Sequence, residues 1–277
     1  MQTIKPSNFQ QKCKSCNTDL LGDYCHLCGE KIVHENDFSI IKIIEQGIDI
    51  FTHIDSKIYK SAIALLFKPG HLSVLYVQGV RKSYMKPIQL FLLANVLFFL
   101  LLSSTDVFRK PSAWWFESSN DMNVNIADLV LQKSNESNKS IREIALLYDQ
   151  KSNTYAKTFV FSFIPILGFV LSILFVFKKL QFGKHIIFAI HFFSFVLVVM
   201  VIWAELVDNL FHVTSNLYYV IPIQIILFVY IILGLKKFYK TTWWYTIISS
   251  ILLLLCFNYS LEIYRFLVSY LTLLSIH

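Results

Sequence analysis

Five stretches of the chain are almost wholly apolar: residues 87–104, 158–177, 186–207, 217–235 and 243–261. About 20 apolar residues in a helix cross the hydrocarbon core of a bilayer, so each stretch predicts a transmembrane helix. A further apolar run, 266–276, is too short to cross again. It either extends the fifth helix or lies in the interface. Residues 38–80 follow another pattern. Ile40, Ile41, Ile44, Ile48 and Phe51 recur at helical spacing with Lys42, Glu45 and Asp49 between them. That periodicity predicts an amphipathic helix, with Asp37 or Ser39 as its cap. A second helix is expected over 56–67, ended by Pro69-Gly70. A short third helix follows to Gln78, with Gly79 placed for a left-handed C-terminal cap. These helices either lie on the membrane face, pack on the bundle or form a soluble hairpin.

Between the first two spans, residues 105–157 read as a loop with a polar middle. Within it Ser140-Ile141-Arg142-Glu143 fits a capping box, and the helix that begins there can run on into the second span. The expected fold is therefore an all-α polytopic membrane bundle of about five transmembrane helices, preceded by a cysteine module and amphipathic helices. The expected divisions are 1–36 (core 11–31), 37–86 and 87–277.

Composition agrees. Hydrophobic residues are 55% of the chain and charged residues 16%, against about 25% charged in soluble domains. The polar N-terminal residues carry no signal-peptide pattern. The net charge of +7 raises nucleic acid as a partner until it is located. Lys178, Lys179, Lys184 and Lys236, Lys237, Lys240 lie in two short connections, and Arg81, Lys82 and Lys86 precede the first span. The connection 208–216 has no Lys or Arg. This bias reports orientation: N-terminus cytoplasmic, C-terminus extracytoplasmic, in the plasma (inner) membrane, with 105–157 outside. Trp114-Trp115 and Trp243-Trp244 read as interfacial belt residues.

The strongest motif is Cys13-Lys14-Ser15-Cys16 with Cys25-His26-Leu27-Cys28-Gly29, spaced C-x2-C-x8-C-x2-C. Each pair can form a knuckle that turns two thiolates toward one ion. Together Cys13, Cys16, Cys25 and Cys28 supply the tetrahedron that Zn²⁺ prefers, closing the site to water and substrate. A structural zinc ribbon is the favoured reading, with iron and two disulfides as alternatives. The cytoplasmic orientation disfavours disulfides. His26 reads as a bystander. Between Gln10 and Lys31 the charges cancel, which disfavours nucleic acid and favours a protein partner.

Weaker signals lie inside the membrane, where ionisable residues are costly. His191, Glu205 and Asp208 are the candidates for an intramembrane polar site, with His212 following. Glu262 and Arg265, three apart, predict an ion pair. Pro165, Gly168 and Pro222 can kink their helices. Cys256 reads as a small hydrophobe. No nucleophile elbow, P-loop, HExxH or dinucleotide fingerprint is present, so no residue is proposed as catalytic.

Two blocks carry a resemblance. The first is Cys13 to Cys16 followed by Tyr24-Cys25-His26-Leu27-Cys28-Gly29-Glu30-Lys31. The second is Phe67-Lys68-Pro69-Gly70 followed by Tyr76-Val77-Gln78-Gly79-Val80-Arg81-Lys82-Ser83-Tyr84-Met85-Lys86-Pro87. They resemble an uncharacterised bacterial membrane-protein family, domain-of-unknown-function family 3667, over about residues 13–103. Asn17 departs from the glycine common there. The resemblance implies a zinc ribbon joined to a membrane domain and implies no activity. In the second block Arg81, Lys82, Tyr84 and Lys86 suit anionic lipid head groups or a partner. The leading expectation is an adaptor or assembly protein whose ribbon binds a protein. A small-solute or ion transporter or channel, and a lipid-handling protein, are the alternatives.

Overall fold

The computed structural model describes residues 12, 16, 18, 19, 22, 24–27, 57–80, 83–102, 107–116, 126–206 and 216–276, of which 115–116 and 216–219 are described by backbone alone. It separates into two compact units, Met1–Ser56 and Lys57–His277. In the first, an antiparallel bridge pairs Lys12 with Asp19. The expected amphipathic helix that includes Ile40 to Phe51 lies outside the described residues.

Among the described residues of the second unit the regular elements are all helices. Residues 57–67 form α1. They are followed by α2 (His71–Val77), α3 (Pro87–Leu101), a 3-10 turn at Ser112–Phe116, α4 (Ile126–Ser137), α5 (Ile141–Phe159), α6 (Phe163–Leu174), α7 (Phe182–Leu206), α8 (Asn216–Tyr239) and α9 (Trp243–Leu274). Local chemistry explains most boundaries. Gly70 leaves α1 at φ 71 and Gly79 ends α2 at φ 92, the left-handed backbone that glycine takes without a Cβ penalty. Pro87 opens α3 at its first position, where its missing N–H costs nothing. The Ser140 hydroxyl accepts from the Glu143 amide, and the Glu143 carboxylate accepts from the Ser140 amide at 2.8 Å, as the capping box predicts.

Among the described residues, four apolar helical stretches are long enough to cross a membrane: Ile141–Leu174, Phe182–Leu206, Val220–Tyr239 and Trp243–Leu274. The first joins α5 to α6 through a 3-10 turn at Val160–Ser162. Pro165 accounts for that turn, because it has no N–H to bond the carbonyl four residues back. The segment expected as the first span, 87–104, is the 15-residue helix α3, about 22 Å long at 1.5 Å per residue. It is shorter than the hydrocarbon core of about 30 Å. The apolar run 266–276 extends the last helix, since α9 continues to Leu274.

At the centre lies α7. Residues 188–197 are all buried, as is Val199. Ten consecutive buried positions cover every face of a helix with 3.6 residues per turn. Its apolar window is 67% buried, against 28–33% for the other three candidate spans. α3, α6, α2 and α8 pack around α7. Aromatic rings fill the interior. Phe163 stacks on Phe193 with centroids 5.1 Å apart and lies 4.9 Å from Tyr264. Phe108 lies edge-on to Phe98 at 5.2 Å, and Phe195 stacks on Tyr230 at 3.5 Å. Gly168, expected to loosen α6, lets α6 press on α7. A Cβ there would fall 2.3 Å from Ile186 Cδ1.

A second core lies away from this bundle. Ile126 and Val130 of α4, Ile144 and Tyr148 of α5, and Leu273 and Ile276 are buried together. The stretch Ile141–Leu174 has 34 residues and α9 has 32, about 50 Å each at 1.5 Å per residue. Their lengths exceed the core of a bilayer by about 20 Å, and the surplus of both clamps α4. The Tyr148 hydroxyl donates to the Lys110 carbonyl at 2.8 Å and lies 2.8 Å from the Ser269 hydroxyl. Asp149 accepts from Arg109 at 2.9 Å, from the Ser112 amide at 3.1 Å and from the Ser112 hydroxyl at 2.6 Å. The ion pair read from the sequence closes the same region. Arg265 donates to Glu262 at 2.6 Å, and its Nε donates to the Val107 carbonyl at 2.8 Å.

A close backbone approach joins the start of α2 to α8. A Cβ on Gly70 would lie 2.7 Å from the Gly234 carbonyl oxygen, whereas one on Gly79 would meet open space. Both substitutions meet the left-handed penalty of about 1–2 kcal/mol, but only Gly70→Ala adds a backbone clash. Gly70→Ala is therefore expected to destabilise the purified protein by at least about 1 kcal/mol more than Gly79→Ala. Thermal unfolding of both variants in detergent checks the order.

Candidate functional site

The cysteine module holds the four candidate metal ligands, and the α1–α2 hairpin meets His191 of α7. In the module, Cys16 Sγ and Cys25 Sγ lie 3.5 Å apart, and Cys16 donates to Thr18 Oγ1 at 3.3 Å. The bridged residues Lys12 and Asp19 lie on either side of Cys16 in the chain. The Cys16–Cys25 separation is well beyond the bonded distance of about 2.05 Å. A tetrahedron of thiolates at about 2.3 Å from zinc has edges of about 3.8 Å, and the observed separation is near that edge. Cys13 and Cys28 lie outside the described residues. Among the described residues no group of three His, Cys, Asp or Glu converges on a metal position. Beside Cys25, which is buried, Tyr24 and Leu27 are 62% and 70% exposed.

The α1–α2 hairpin is set into the bundle. Ala64, Leu65 and Leu72 are buried in the main core, and Ser61 Oγ accepts from the Met85 amide at 2.9 Å. Ser73 is buried against α7, and its hydroxyl lies 2.9 Å from His191 Nδ1. His191 is 4% exposed. The imidazole is thus held by a hydroxyl 118 positions earlier in the chain. His71 lies edge-on to Tyr84 at 6.1 Å. Partial burial first, then Lys237 and Lys68, holds the His71 imidazole below its ordinary value, so it is neutral at pH 7 and begins to protonate only in more acidic solution.

The candidate polar residues of the third expected span do not meet. Glu205 lies fourteen positions after His191 on the same helix, about 21 Å along it, and is exposed. Asp208 and His212 lie outside the described residues, as do Arg81 and Lys82. Tyr84 is half-buried against the core and Lys86 is exposed, with Lys86 at the N-cap of α3. Trp243 and Trp244 are exposed, and Lys236 Nζ lies 4.8 Å from the Trp243 ring. Lys110 Nζ lies 3.6 Å from the Trp114 ring. Cys256 is half-buried.

Sequence reasoning missed three polar contacts. Ser73 is one. Gln224 and Asn258 form a reciprocal amide pair between α8 and α9, with N···O distances of 2.9 and 3.2 Å. His185 Nδ1 lies 2.7 Å from the Tyr239 hydroxyl, and Tyr239 stacks on Phe175 at 3.6 Å. The available signal was a polar residue inside an apolar run, which is costly unless paired. Its partner cannot be read from spacing along one helix.

The hairpin and α3 are the part of the chain that comparison identifies. Residues 55–99 match the family model of DUF3667, a protein of unknown function. This is the family that the sequence resembles. No curated protein and no solved structure matches the chain. The DUF3667 segment covers α1, α2 and most of α3, so it contains Gly70, Ser73 and the buried face that docks on α7 and α8. Its position in the bundle gives the matched residues a packing role.

The Ser73–His191 contact generates a measurable expectation. Ser73→Ala leaves a buried ring nitrogen without its partner, at a cost of about 1–3 kcal/mol. Changing both residues removes the mismatch. In a cycle of Ser73→Ala, His191→Leu and the double variant, thermal unfolding is expected to show a coupling of about 1 kcal/mol. Additive losses would show that the contact contributes nothing.

Proposed function

We propose that this protein is a membrane-anchored adaptor whose N-terminal cysteine module is a zinc ribbon that binds a protein partner. The carrying observation is the meeting of Cys16 and Cys25, one from each knuckle, beside exposed Tyr24 and Leu27. Cys13, Cys16, Cys25 and Cys28 would hold the ion, which supplies structure and no open coordination position. Such a module orders about twenty residues that are too few to build a core of their own. An aromatic and an aliphatic side chain fixed on its surface form the kind of small anchor that protein interfaces use. The helical bundle would hold that surface at the membrane. The lysine-rich connections support a cytoplasmic location for the ribbon, in a plasma membrane. Oxygen-poor, thiol-only ligation favours zinc over harder cations, with iron as the competing ion.

The test uses the full chain extracted from native membranes. Metal analysis is expected to find stoichiometric zinc in the wild type and none in Cys16→Ser/Cys25→Ser. Cross-linking is expected to retain a specific protein on the wild type and to lose it from that variant. Tyr24→Ala/Leu27→Ala is expected to keep the zinc and lose the partner. A partner retained by both variants would sink the adaptor reading. Iron in place of zinc would overturn the metal assignment alone.

A further inference from the structure

At the lysine-rich end of the bundle a cleft opens between the α6–α7 and α8–α9 connections. It has a volume of about 390 Å³ and is lined by Phe177, Lys178, Lys240, Thr241, Thr242 and Tyr245. Two of these six carry a positive charge and none carries a negative one. Lys178 and Lys240 come from different connections, 62 positions apart, and Lys178 Nζ donates to the Lys240 carbonyl at 3.5 Å. That contact closes the two connections over one space. A lysine ammonium has three donors, so most of the donor capacity of Lys178 is uncommitted by that bond.

The surrounding framework is fixed by other bonds. Lys236 donates to the Thr241 carbonyl, the Thr241 and Thr246 hydroxyls lie 2.9 Å apart, and Tyr245 donates to the Leu174 carbonyl. α9 begins directly after Thr242, which makes no side-chain cap bond, and its first turn has no acid. The positive end of a helix dipole therefore adds to the two lysines. A low-dielectric wall of Phe177 and Tyr245 concentrates that field.

The rim distinguishes a lipid from a small soluble anion. Val176 is 71% exposed, Phe177 52%, Trp243 55% and Trp244 79%. Inorganic phosphate would leave these side chains unused. A phospholipid would use both halves, its phosphate among the cations and its acyl chains against the rings, since aromatic side chains with wet and apolar ends sit at head-group level.

We propose that this cleft binds an anionic phospholipid, with Lys178 and Lys240 holding its phosphate and Phe177, Trp243 and Trp244 flanking its acyl chains. The proposal differs from a general attraction of basic loops to an acidic leaflet, because it assigns the effect to two lysines among the six in these connections. Lys179 and Lys237 are exposed and do not line the cleft, so they provide a control with the same change in charge.

Native mass spectrometry of the full chain in detergent, titrated with phosphatidylglycerol or phosphatidylcholine, tests this. The wild type is expected to prefer phosphatidylglycerol. Lys178→Gln/Lys240→Gln is expected to weaken that binding roughly tenfold or more, as the loss of two cations at a lipid phosphate predicts. Lys179→Gln/Lys237→Gln is expected to change it less than about threefold, since screened surface charges contribute weakly. Equal losses in the two double variants, or no preference in the wild type, would overturn the site. Displacement of phosphatidylglycerol by millimolar inorganic phosphate would overturn the lipid as its ligand.

Discussion

The bundle depends on the burial of the middle of α7, residues 188–197. A helix in lipid can leave apolar side chains facing acyl chains at little cost, so a membrane span has no need to be covered. This one is covered from residue 188 to residue 197, and the other elements supply the cover. α3 and α6 lie along it, and the short helix α2 fills a remaining face beside α8. Because His191 and Ser194 fall within the covered stretch, each needs a partner inside it. Ser194 uses the Ile190 carbonyl at 2.7 Å. His191 uses Ser73, which requires α2 to enter the bundle, and the close passage of Gly70 past Gly234 lets it enter. One histidine, one serine and two glycines therefore form a single packing arrangement, and two of them lie in the matched segment 55–99.

The long helices extend this arrangement beyond the bilayer. The joined α5–α6 stretch and α9 have more residues than a crossing requires, and polar contacts bind their surplus turns. Tyr148 reaches Ser269 and the Lys110 carbonyl, and Asp149 gathers Arg109 and Ser112. Hydroxyl and charged contacts of this kind suit an aqueous or interfacial setting, where unsatisfied groups still find water. In contrast, the contacts between α8 and α9 at Gln224 and Asn258 satisfy both amides reciprocally, as a hydrocarbon setting demands. The type of polar contact thus changes along α9 from a closed pair to an open network.

Local signals in the sequence were legible where physics is local. The Ser140–Glu143 box, the left-handed Gly79 and the Glu262–Arg265 pair each involve residues within three positions of one another or a single backbone angle. The apolar stretches were legible as helices for the same reason. The central place of α7 was not, because composition measures how apolar a helix is and not whether protein or lipid covers it. Phe188 to Leu197 reads no differently from Ile251 to Leu255 until the neighbours are known. The first expected span includes Leu102, Ser103 and Ser104 because they continue its apolar and small-residue pattern, and α3 is described over Pro87–Leu101. His191 stood out in the sequence as a polar residue in an apolar segment, but its partner Ser73 is 118 positions away. Cys16 and Cys25, nine positions apart in the chain, lie 3.5 Å from each other.

The same distinction applies to the lysines. The sequence placed six of them in two connections and read them together as a topological signal. The fold separates them by task. Lys236 is turned back on the Thr241 carbonyl and the Trp243 ring, Lys179 and Lys237 face solvent, and Lys178 and Lys240 share a cleft. A charge bias needs only the count of cations near a span end, and any order of lysines satisfies it. A cleft needs two particular lysines on two particular connections, held by the Thr241–Thr246 and Tyr245–Leu174 contacts. Those fixed positions give this end of the bundle a chemistry that the charge count alone does not require.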